Sequence, residues 1–223
     1  MSNKFLKIKA VNETFRVNNI FCIGKNYLMH IKEFGGKEPE KNPVIFTKPN
    51  SAIISDGEEV VIPEYNGRKI SDELHYETEL VVAIGKELTG DNISDCIKGY
   101  AVGFDMTLRD VQDEAKQKGL PWTTAKGFRT SAPVSDIVLK HEIINPDNIN
   151  FMGFVNGELK QSVNTSEMII SINEILKYID SIFSLQSGDL IFTGTPAGVG
   201  KVKSGDLLEA SLVNLVQLKV RVS

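Results

Sequence analysis

The sequence predicts a strand-dominated α+β fold with mixed sheets and a few short helices. Short β-rich runs, separated by Gly, Asn, Asp and Pro turn signals, recur along the whole chain, whereas few segments have helical periodicity. The helices do not alternate regularly with the strands, so repeated βαβ units are not the organising pattern. A length of 223 residues suits one hydrophobic core, and we predict a single catalytic domain over residues 1–223.

The first half of the chain contains several strands and two helices. Alternating apolar and polar residues predict a small leading strand segment within residues 1–18. We predict a helix over residues 26–34 and a second over residues 108–118, which Gly119 ends. Residues 64–72 are polar and predict an exposed loop. The other elements predicted here are strands at 20–23, 44–47, 60–62, 77–85 and 100–106 and a helical turn at 95–98.

The second half adds one clear helix to a further set of strands. Ile172, Ile175 and Ile179 share one face of a helix predicted over residues 171–181. Asn156-Gly157, between two short runs, is a strong hairpin signal. The strands predicted here lie at residues 137–139, 150–155, 159–162, 190–192, 207–210 and 216–222.

Composition and charge narrow the possible partners. The net charge is −4 and there is no basic stripe of the kind that phosphate backbones require, so we expect no binding to nucleic acid. No apolar run approaches bilayer-spanning length, and the first residues lack the pattern of a signal peptide or membrane anchor. Cys22 and Cys96 form no CxxC pair and predict buried thiols in a reducing compartment. We therefore predict a cytoplasmic protein.

Two glutamates that open the most apolar predicted strand are the most informative feature of the sequence. Alternate side chains of a strand point the same way, so Glu77 and Glu79 share a face that continues with Val81 and Ala83. Two carboxylates at a core boundary repel each other and need a cation or protons. A hard divalent ion such as Mg²⁺ meets that need, and Asp105, at the end of another apolar strand, is the best candidate for a third ligand.

Each of these carboxylates also has a structural explanation. Glu77 and Glu79 could decorate the solvated face of an edge strand, where charges are common. Asp105 could cap a helix or close a turn. The three together, with the features described next, favour a metal site over these alternatives.

Three further features carry polar groups suited to catalysis or binding. His30 and Glu33 lie three residues apart on the predicted helix, so Glu33 could orient His30 as a general base for water, or both could be surface residues. Lys126, flanked by small residues, could hold a carboxylate or stabilise an enolate, although most lysines are solvated. The glycine-rich loop at 193–200 could present N–H groups to an anion or form a plain turn, and it lacks the Gly-Lys-Ser/Thr of a nucleotide P-loop.

The motifs together resemble the fumarylacetoacetate hydrolase family, and within it the short single-domain acylpyruvase and oxaloacetate decarboxylase branch. Each motif is modest alone, but the ordered set, which spans residues 20–200, is specific. The matching stretches are Gly24-Lys25-Asn26-Tyr27 with His30 and Glu33, Phe46-Thr47-Lys48-Pro49, His75-Tyr76-Glu77-Thr78-Glu79-Leu80, Asp105-Met106-Thr107-Leu108-Arg109-Asp110-Val111-Gln112, Gly119-Leu120-Pro121-Trp122 with Lys126-Gly127-Phe128, and the loop at 193–200.

The resemblance implies a fold, a cofactor and residue roles. Family members adopt a mixed β-roll and usually form homodimers. The implied roles are metal ligands for Mg²⁺ or Mn²⁺ at Glu77, Glu79 and Asp105, a water-activating dyad at His30 and Glu33, contacts to the substrate's carboxylate end from Lys126 and Thr195, and pocket lining from Arg109 and Gln112. Lys25 stands where related proteins often carry Arg, and a lysine cannot make a bidentate fork, so substrate preference could differ there.

The activity implied by the resemblance is metal-dependent chemistry on a small 2-keto acid. The acid would chelate the metal through its carboxylate and keto oxygens, and the metal would stabilise the enolate formed when a bond at C3 breaks. Hydrolysis of acylpyruvates and decarboxylation of oxaloacetate are the primary predictions. Tautomerisation of oxaloacetate and hydration or isomerisation of dienoic acids are alternatives on the same site. A non-catalytic barrel that binds a metal or small molecule is an alternative of another class.

Overall fold

Strands dominate the part of the chain that the computed structural model describes, which is residues 4–33, 35–36, 42–88 and 92–223. The strands are β1 (Phe5–Lys7), β2 (Thr14–Arg16), β3 (Ile20–Gly24), β4 (Val44–Lys48), β5 (Ile53–Ile54), β6 (Glu59–Val60), β7 (Glu64–Tyr65), β8 (Arg68–Lys69), β9 (Leu74–Tyr76), β10 (Thr78–Ile84), β11 (Ile97–Phe104), β12 (Thr107–Leu108), β13 (Ala132–Pro133), β14 (Val138–Leu139), β15 (Asn150–Val155), β16 (Glu158–Asn164), β17 (Leu190–Phe192), β18 (Gly200–Lys201), β19 (Leu207–Leu212) and β20 (Val216–Val222). The α-helices are α1 (Leu28–Glu33), α2 (Arg109–Lys118), α3 (Thr123–Lys126) and α4 (Ile172–Phe183), and short 3₁₀ helices lie at Asn50–Ala52, Ile93–Cys96, Lys140–Glu142 and Thr165–Glu167.

Two larger sheets organise these strands. A six-stranded sheet has the order β14-β11-β10-β17-β3-β4 and mixes one parallel pair, β17 with β3, with antiparallel neighbours. A five-stranded sheet has the order β16-β15-β19-β20-β6, and smaller sheets of two or three strands complete the fold. The predicted strand-dominated α+β fold with mixed sheets is confirmed.

Strand β10 separates two hydrophobic cores. Leu80 and Val82 pack into the larger core, together with residues of the five-stranded sheet and of α4. Val81 and Ala83, which alternate with them, pack into the smaller core with residues of the leading strands β1 and β2. Every residue of β10 is buried, because both faces of the strand are covered.

The two longer helices follow the predicted patterns. The buried residues of α4 include Ile172, Ile175 and Ile179, and Ser171 caps the helix by accepting a hydrogen bond from the Glu174 N–H. Gly119 ends α2 in the left-handed conformation, with φ of 65°. No helix within the described ranges is long and apolar enough to cross a membrane.

The structure differs from the predictions in a few connections. Residues 64–72, predicted as an exposed loop, contain an exposed hairpin formed by β7 and β8. The strands are joined by Asn66-Gly67, whose φ values are both positive. The polar composition obscured this turn signal. The expected turn at 95–98 is instead the 3₁₀ helix Ile93–Cys96, and β11 starts directly after it. Residue 34 of the first predicted helix lies outside the described residues.

Candidate active site

One cavity of about 420 Å³ brings together all the predicted site side chains except Glu33. These lining residues are Lys25, His30, Glu77, Glu79, Asp105, Arg109, Gln112, Lys126 and Thr195. The remainder is lined mostly by apolar residues, including Ile23, Ile31, Phe46 and Trp122, and by Lys116. A concave site of this size with a few convergent polar groups is suited to a small ligand.

Strand register places the three carboxylates together. Glu79 lies in β10, Glu77 lies at the break between β9 and β10, and Asp105 directly follows β11. Because β10 and β11 are antiparallel, with Thr78 opposite Phe104, Asp105 comes beside Glu77 and its N–H donates to the Glu77 carbonyl at 2.8 Å. Candidate ligand atoms of all three carboxylates lie within 4.8 Å of one another.

The burial of this carboxylate cluster contradicts a solvated edge strand. The exposed fractions are 5% for Glu77, 2% for Glu79 and 0% for Asp105. β10 is an interior strand of the six-stranded sheet, with β11 and β17 on its two sides. Buried carboxylates must be compensated, and three hard oxygen donors suit Mg²⁺ or Mn²⁺. The residues therefore fit a divalent metal.

Buried cations compensate two of the carboxylates but not the third. The Lys126 ammonium lies 2.8 Å from Glu77 Oε2 and 2.6 Å from Asp105 Oδ2, and it also donates to Thr107 Oγ1. Arg109 pairs with Glu77 through Nη2. Glu79 accepts a hydrogen bond from the Gly194 N–H at 2.8 Å and has no ion pair with any side chain in the described ranges.

The pKa values reflect this difference in compensation. Burial, reinforced by the charges of Asp105 and Glu77, raises the pKa of Glu79 well above its usual range. Burial also opposes ionisation of Glu77, but Lys126 and Arg109 more than offset it and hold the pKa of Glu77 below its ordinary value. A divalent cation at the cluster would favour the ionised form of Glu79.

Lys48 belongs to this charge cluster, although the sequence gave it no role beyond a motif position. Its ammonium lies 2.7 Å from Asp105 Oδ1, and the side chain is buried. It also contacts the Lys126 carbonyl and Ser131 Oγ, so it is held by the chain around α3. The signal that could have found it is strand parity, because Phe46 and Lys48 share one face of β4.

His30 and Glu33 are adjacent, as the helical spacing predicts. Nδ1 of His30 lies 3.4 Å from Glu33 Oε2, and Glu33 also accepts from the Gly198 N–H at 3.1 Å. Glu33 therefore joins α1 to the glycine-rich loop, while the His30 side chain lines the cavity. Burial lowers the pKa of His30, which favours the neutral imidazole that a general base requires.

Gln161 is a buried residue near the site for which the sequence gave no indication of a role. It lies in β16, and its side chain accepts from the Thr78 N–H at 2.9 Å while donating to the Pro196 carbonyl at 2.8 Å and to Thr195 Oγ1 at 2.9 Å. The Thr195 hydroxyl in turn donates to the Thr78 carbonyl. The hydrogen bonds of Gln161 thus link the glycine-rich loop to the backbone of Thr78, between Glu77 and Glu79. The signal that could have found it is strand parity, because Gln161 and Val163 share one face of β16.

The remaining predicted binding residues lie on two sides of the cavity. Arg109 Nη1 donates to Gln112 Oε1 at 2.6 Å, so these two side chains of α2 form one hydrogen-bonded unit. Lys25 follows β3 in a left-handed backbone conformation, with φ of 62°. Its side chain lines the same cavity as Thr195.

The fold and this cavity place the chain in one enzyme family, in agreement with its motifs. The chain belongs to the fumarylacetoacetate hydrolase family, because the family description "Fumarylacetoacetate (FAA) hydrolase C-terminal" matches residues 19–223. Proteins similar to this chain include hydrolases, isomerases and tautomerases.

Individual relatives cover nearly the whole chain. The chain is 44% identical over 207 residues to the Homo sapiens oxaloacetate tautomerase FAHD1, mitochondrial, which covers 92% of this chain and 91% of that protein. The Arabidopsis thaliana protein of the same name is 41% identical over 203 residues, covering 90% and 88%. A crystal structure of fumarylpyruvate hydrolase from Pseudomonas aeruginosa in complex with Mn²⁺ and pyruvate superposes with a TM-score of 0.92 at 34% identity, covering 100% of this chain and 96% of that one.

Proposed function

We propose that this protein is a Mg²⁺- or Mn²⁺-dependent enzyme that enolises a small 2-keto acid, with oxaloacetate as the first candidate substrate. The observation that carries the proposal is the buried cluster of Glu77, Glu79 and Asp105, whose ligand atoms lie within 4.8 Å of one another in a cavity of suitable size. The oxaloacetate tautomerases among the relatives support keto–enol tautomerisation, which the sequence left as an alternative to decarboxylation.

The roles proposed for the side chains follow from their positions. A metal held by Glu77, Glu79 and Asp105 would supply a Lewis acid next to the keto group of the substrate. Lys126, beside two of these carboxylates, places a positive charge where the keto oxygen develops negative charge. Nδ1 of His30 contacts Glu33. We therefore assign the other ring nitrogen, Nε2, as the group that transfers a proton between C3 and the keto oxygen of the substrate.

The other predicted residues are proposed to bind the substrate. Lys25, Arg109 and Gln112 line the cavity around the carboxylate cluster, and their charge and hydrogen-bonding groups suit an anionic keto acid. Thr195 is held by Gln161 and by the Thr78 carbonyl, so its position at the cavity wall is fixed before a substrate arrives. A preorganised wall of this kind reduces the cost of binding.

Hydrolysis of an acylpyruvate is the second candidate function, and the His30–Glu33 pair favours it. His30 would take a proton from water, the hydroxide would attack the distal C4 carbonyl, and the C3–C4 bond would break with its electron pair on C3. Return of the proton from His30 to C3 would yield pyruvate and a carboxylic acid. The similarity to fumarylpyruvate hydrolase supports this reaction. Decarboxylation of oxaloacetate needs no attacking water, so it depends less on the pair.

The test is turnover of oxaloacetate and acetylpyruvate by the purified protein, followed by ultraviolet absorbance with Mg²⁺, Mn²⁺ or EDTA. We expect metal-dependent turnover that Glu79→Gln abolishes and that Glu64→Gln, at an exposed position of β7, leaves intact. A thermal melt provides a second measurement, because a metal that binds the folded state raises the melting temperature by mass action. If neither the melting temperature nor the turnover changes when metal or EDTA is added, the metal site is refuted.

A homodimeric assembly and a cytoplasmic location complete the proposal. Cys22 and Cys96 are free and buried, which supports a reducing compartment. The names of the tautomerase relatives specify mitochondria for those proteins. Light scattering of the purified chain tests the dimer, and microscopy of the tagged protein in its own cell distinguishes the two compartments.

A further inference from the structure

We propose that Tyr76 is a positioning residue that fixes the His30–Glu33 pair relative to the carboxylate cluster, and that it acts through the backbone of Gly198. The inference rests on the proposed function, because it assumes that His30 transfers a proton during turnover. Tyr76 is not among the described residues that line the cavity, so it would control the rate of proton transfer without touching the substrate.

The Tyr76 side chain contacts the glycine-rich loop from the side of the carboxylate cluster. Tyr76 ends β9, directly before the candidate ligand Glu77, and is only 4% exposed. Its hydroxyl donates a hydrogen bond to the Gly198 carbonyl at 2.8 Å. The backbone of Tyr76 also pairs with Gly200 of β18. A strand position next to a candidate metal ligand is therefore tied to the far end of the loop.

The same glycine contacts the His30–Glu33 pair. The Gly198 N–H donates to both carboxylate oxygens of Glu33, at 3.1 Å to Oε1 and 3.3 Å to Oε2. Oε2 of Glu33 in turn lies 3.4 Å from Nδ1 of His30. Tyr76 and Glu33 are therefore connected through one residue, whose carbonyl accepts from the tyrosine and whose N–H donates to the glutamate.

Glu33 needs such a contact because its own helix restrains it weakly. Helix α1 has six residues, of which Glu33 is the last, and the ends of short helices fray. The Glu33 side chain is 32% exposed, compared with 12% for His30, so water competes for its oxygens. An N–H donor at a fixed position limits the rotamers of Glu33, and the carboxylate then orients the imidazole.

The Gly198 backbone is packed closely enough to transmit the position of Tyr76. Its φ is 98°, a conformation that favours glycine, and a Cβ at this position would lie 2.3 Å from the Lys160 carbonyl. The loop therefore lies against β16 without space for a side chain. At its other end, the loop donates the Gly194 N–H to Glu79. One loop thus contacts a candidate metal ligand and the carboxylate that orients His30.

The substitution Tyr76→Phe tests the inference, because it removes the hydroxyl and keeps the ring. We expect kcat of the Mg²⁺-loaded protein for acetylpyruvate hydrolysis and oxaloacetate tautomerisation to fall about tenfold, since a placed general base contributes about 10²–10⁴ and a displaced one keeps part of that. KM, and the Mg²⁺ affinity measured by calorimetry without substrate, should change by less than about twofold. Tyr65→Phe, at a residue 73% exposed on β7, is the matched control and should leave all these values unchanged.

A double-mutant cycle with Glu33→Ala tests whether the effect passes through Glu33. In that background Tyr76→Phe should lower kcat by less than about twofold, because the carboxylate that it positions is already absent. A general loosening of the fold would lower kcat about tenfold in both backgrounds. Hydrogen exchange of the peptide that spans residues 193–200 gives a measurement without turnover. We expect faster exchange in Tyr76→Phe than in the wild-type protein or in Tyr65→Phe.

Unchanged exchange in the loop, losses that add in the cycle, or equal falls in kcat and Mg²⁺ affinity would each overturn the role of Tyr76 alone. If the wild-type protein shows no metal-dependent turnover of either substrate, the proposed function is overturned, and the catalytic role of Tyr76 with it. The exchange measurement, which needs no turnover, then still shows whether Tyr76 holds the loop, so the two failures are distinguishable.

Discussion

Replacing Gln161 by Leu tests how much the candidate site depends on a single buried amide. Gln161 is 1% exposed and makes three hydrogen bonds of 2.8 to 2.9 Å, to the Thr78 N–H, the Pro196 carbonyl and the Thr195 hydroxyl. Leucine has a similar volume but no polar atoms, so the packing survives while all three bonds are lost.

The expected loss of stability depends on which hydrogen bonds each partner of Gln161 keeps after the substitution. The Thr195 hydroxyl keeps its bond to the Thr78 carbonyl, whereas the Thr78 N–H and the Pro196 carbonyl lose the partners they have in Gln161. Each buried polar group left without a partner costs about 1–3 kcal/mol, so for two such groups we expect a loss of about 2–6 kcal/mol in the free energy of unfolding. A domain near the middle of the typical stability range of about 5–15 kcal/mol would remain folded after this loss.

Urea unfolding of wild-type, Gln161→Leu and Gln217→Leu proteins, at one protein concentration, measures this loss. Gln217 lies exposed on β20 of the same sheet, so its substitution should change stability by less than about 0.5 kcal/mol. Because Thr78 lies between Glu77 and Glu79, Gln161→Leu should also weaken metal binding. An unfolding free energy within about 0.5 kcal/mol of wild type would refute the assigned hydrogen bonds.

Three further expectations concern the histidine and the strand interior. His30→Ala should reduce acylpyruvate hydrolysis by about 10² or more and oxaloacetate decarboxylation by less, and equal losses would argue against a role specific to water. Since burial lowers the pKa of His30, its neutral form persists to lower pH, and the acidic limb of kcat/KM should have its midpoint below 6.5; a midpoint above that value would contradict the assignment. Gly153→Ala should destabilise the fold by about 1–3 kcal/mol in urea, because its Cβ would lie 2.0 Å from Thr78 Oγ1, and an unchanged midpoint would show that β15 and β10 are less closely packed.

Local patterns in the sequence were sufficient for most of the elements. Alternation placed Glu79 on the same side of β10 as Val81 and Ala83, and the structure puts those two residues in the same core. Helical periodicity identified the buried face of α4, and a glycine marked the end of α2. The hairpin through Asn66-Gly67 was missed because its strands are two residues long and fully exposed, so no hydrophobic alternation accompanied the turn.

Only the tertiary structure decided which charges meet. Spacing along the chain says nothing about Lys48, at the end of β4, and Asp105, which follows β11, although their charged groups lie 2.7 Å apart in the folded protein. The same holds for Gln161, whose amide crosses from the five-stranded sheet to the backbone of Thr78. Periodicity reports which face of an element is buried, but contacts between elements depend on register and packing, which arise only when the sheets assemble.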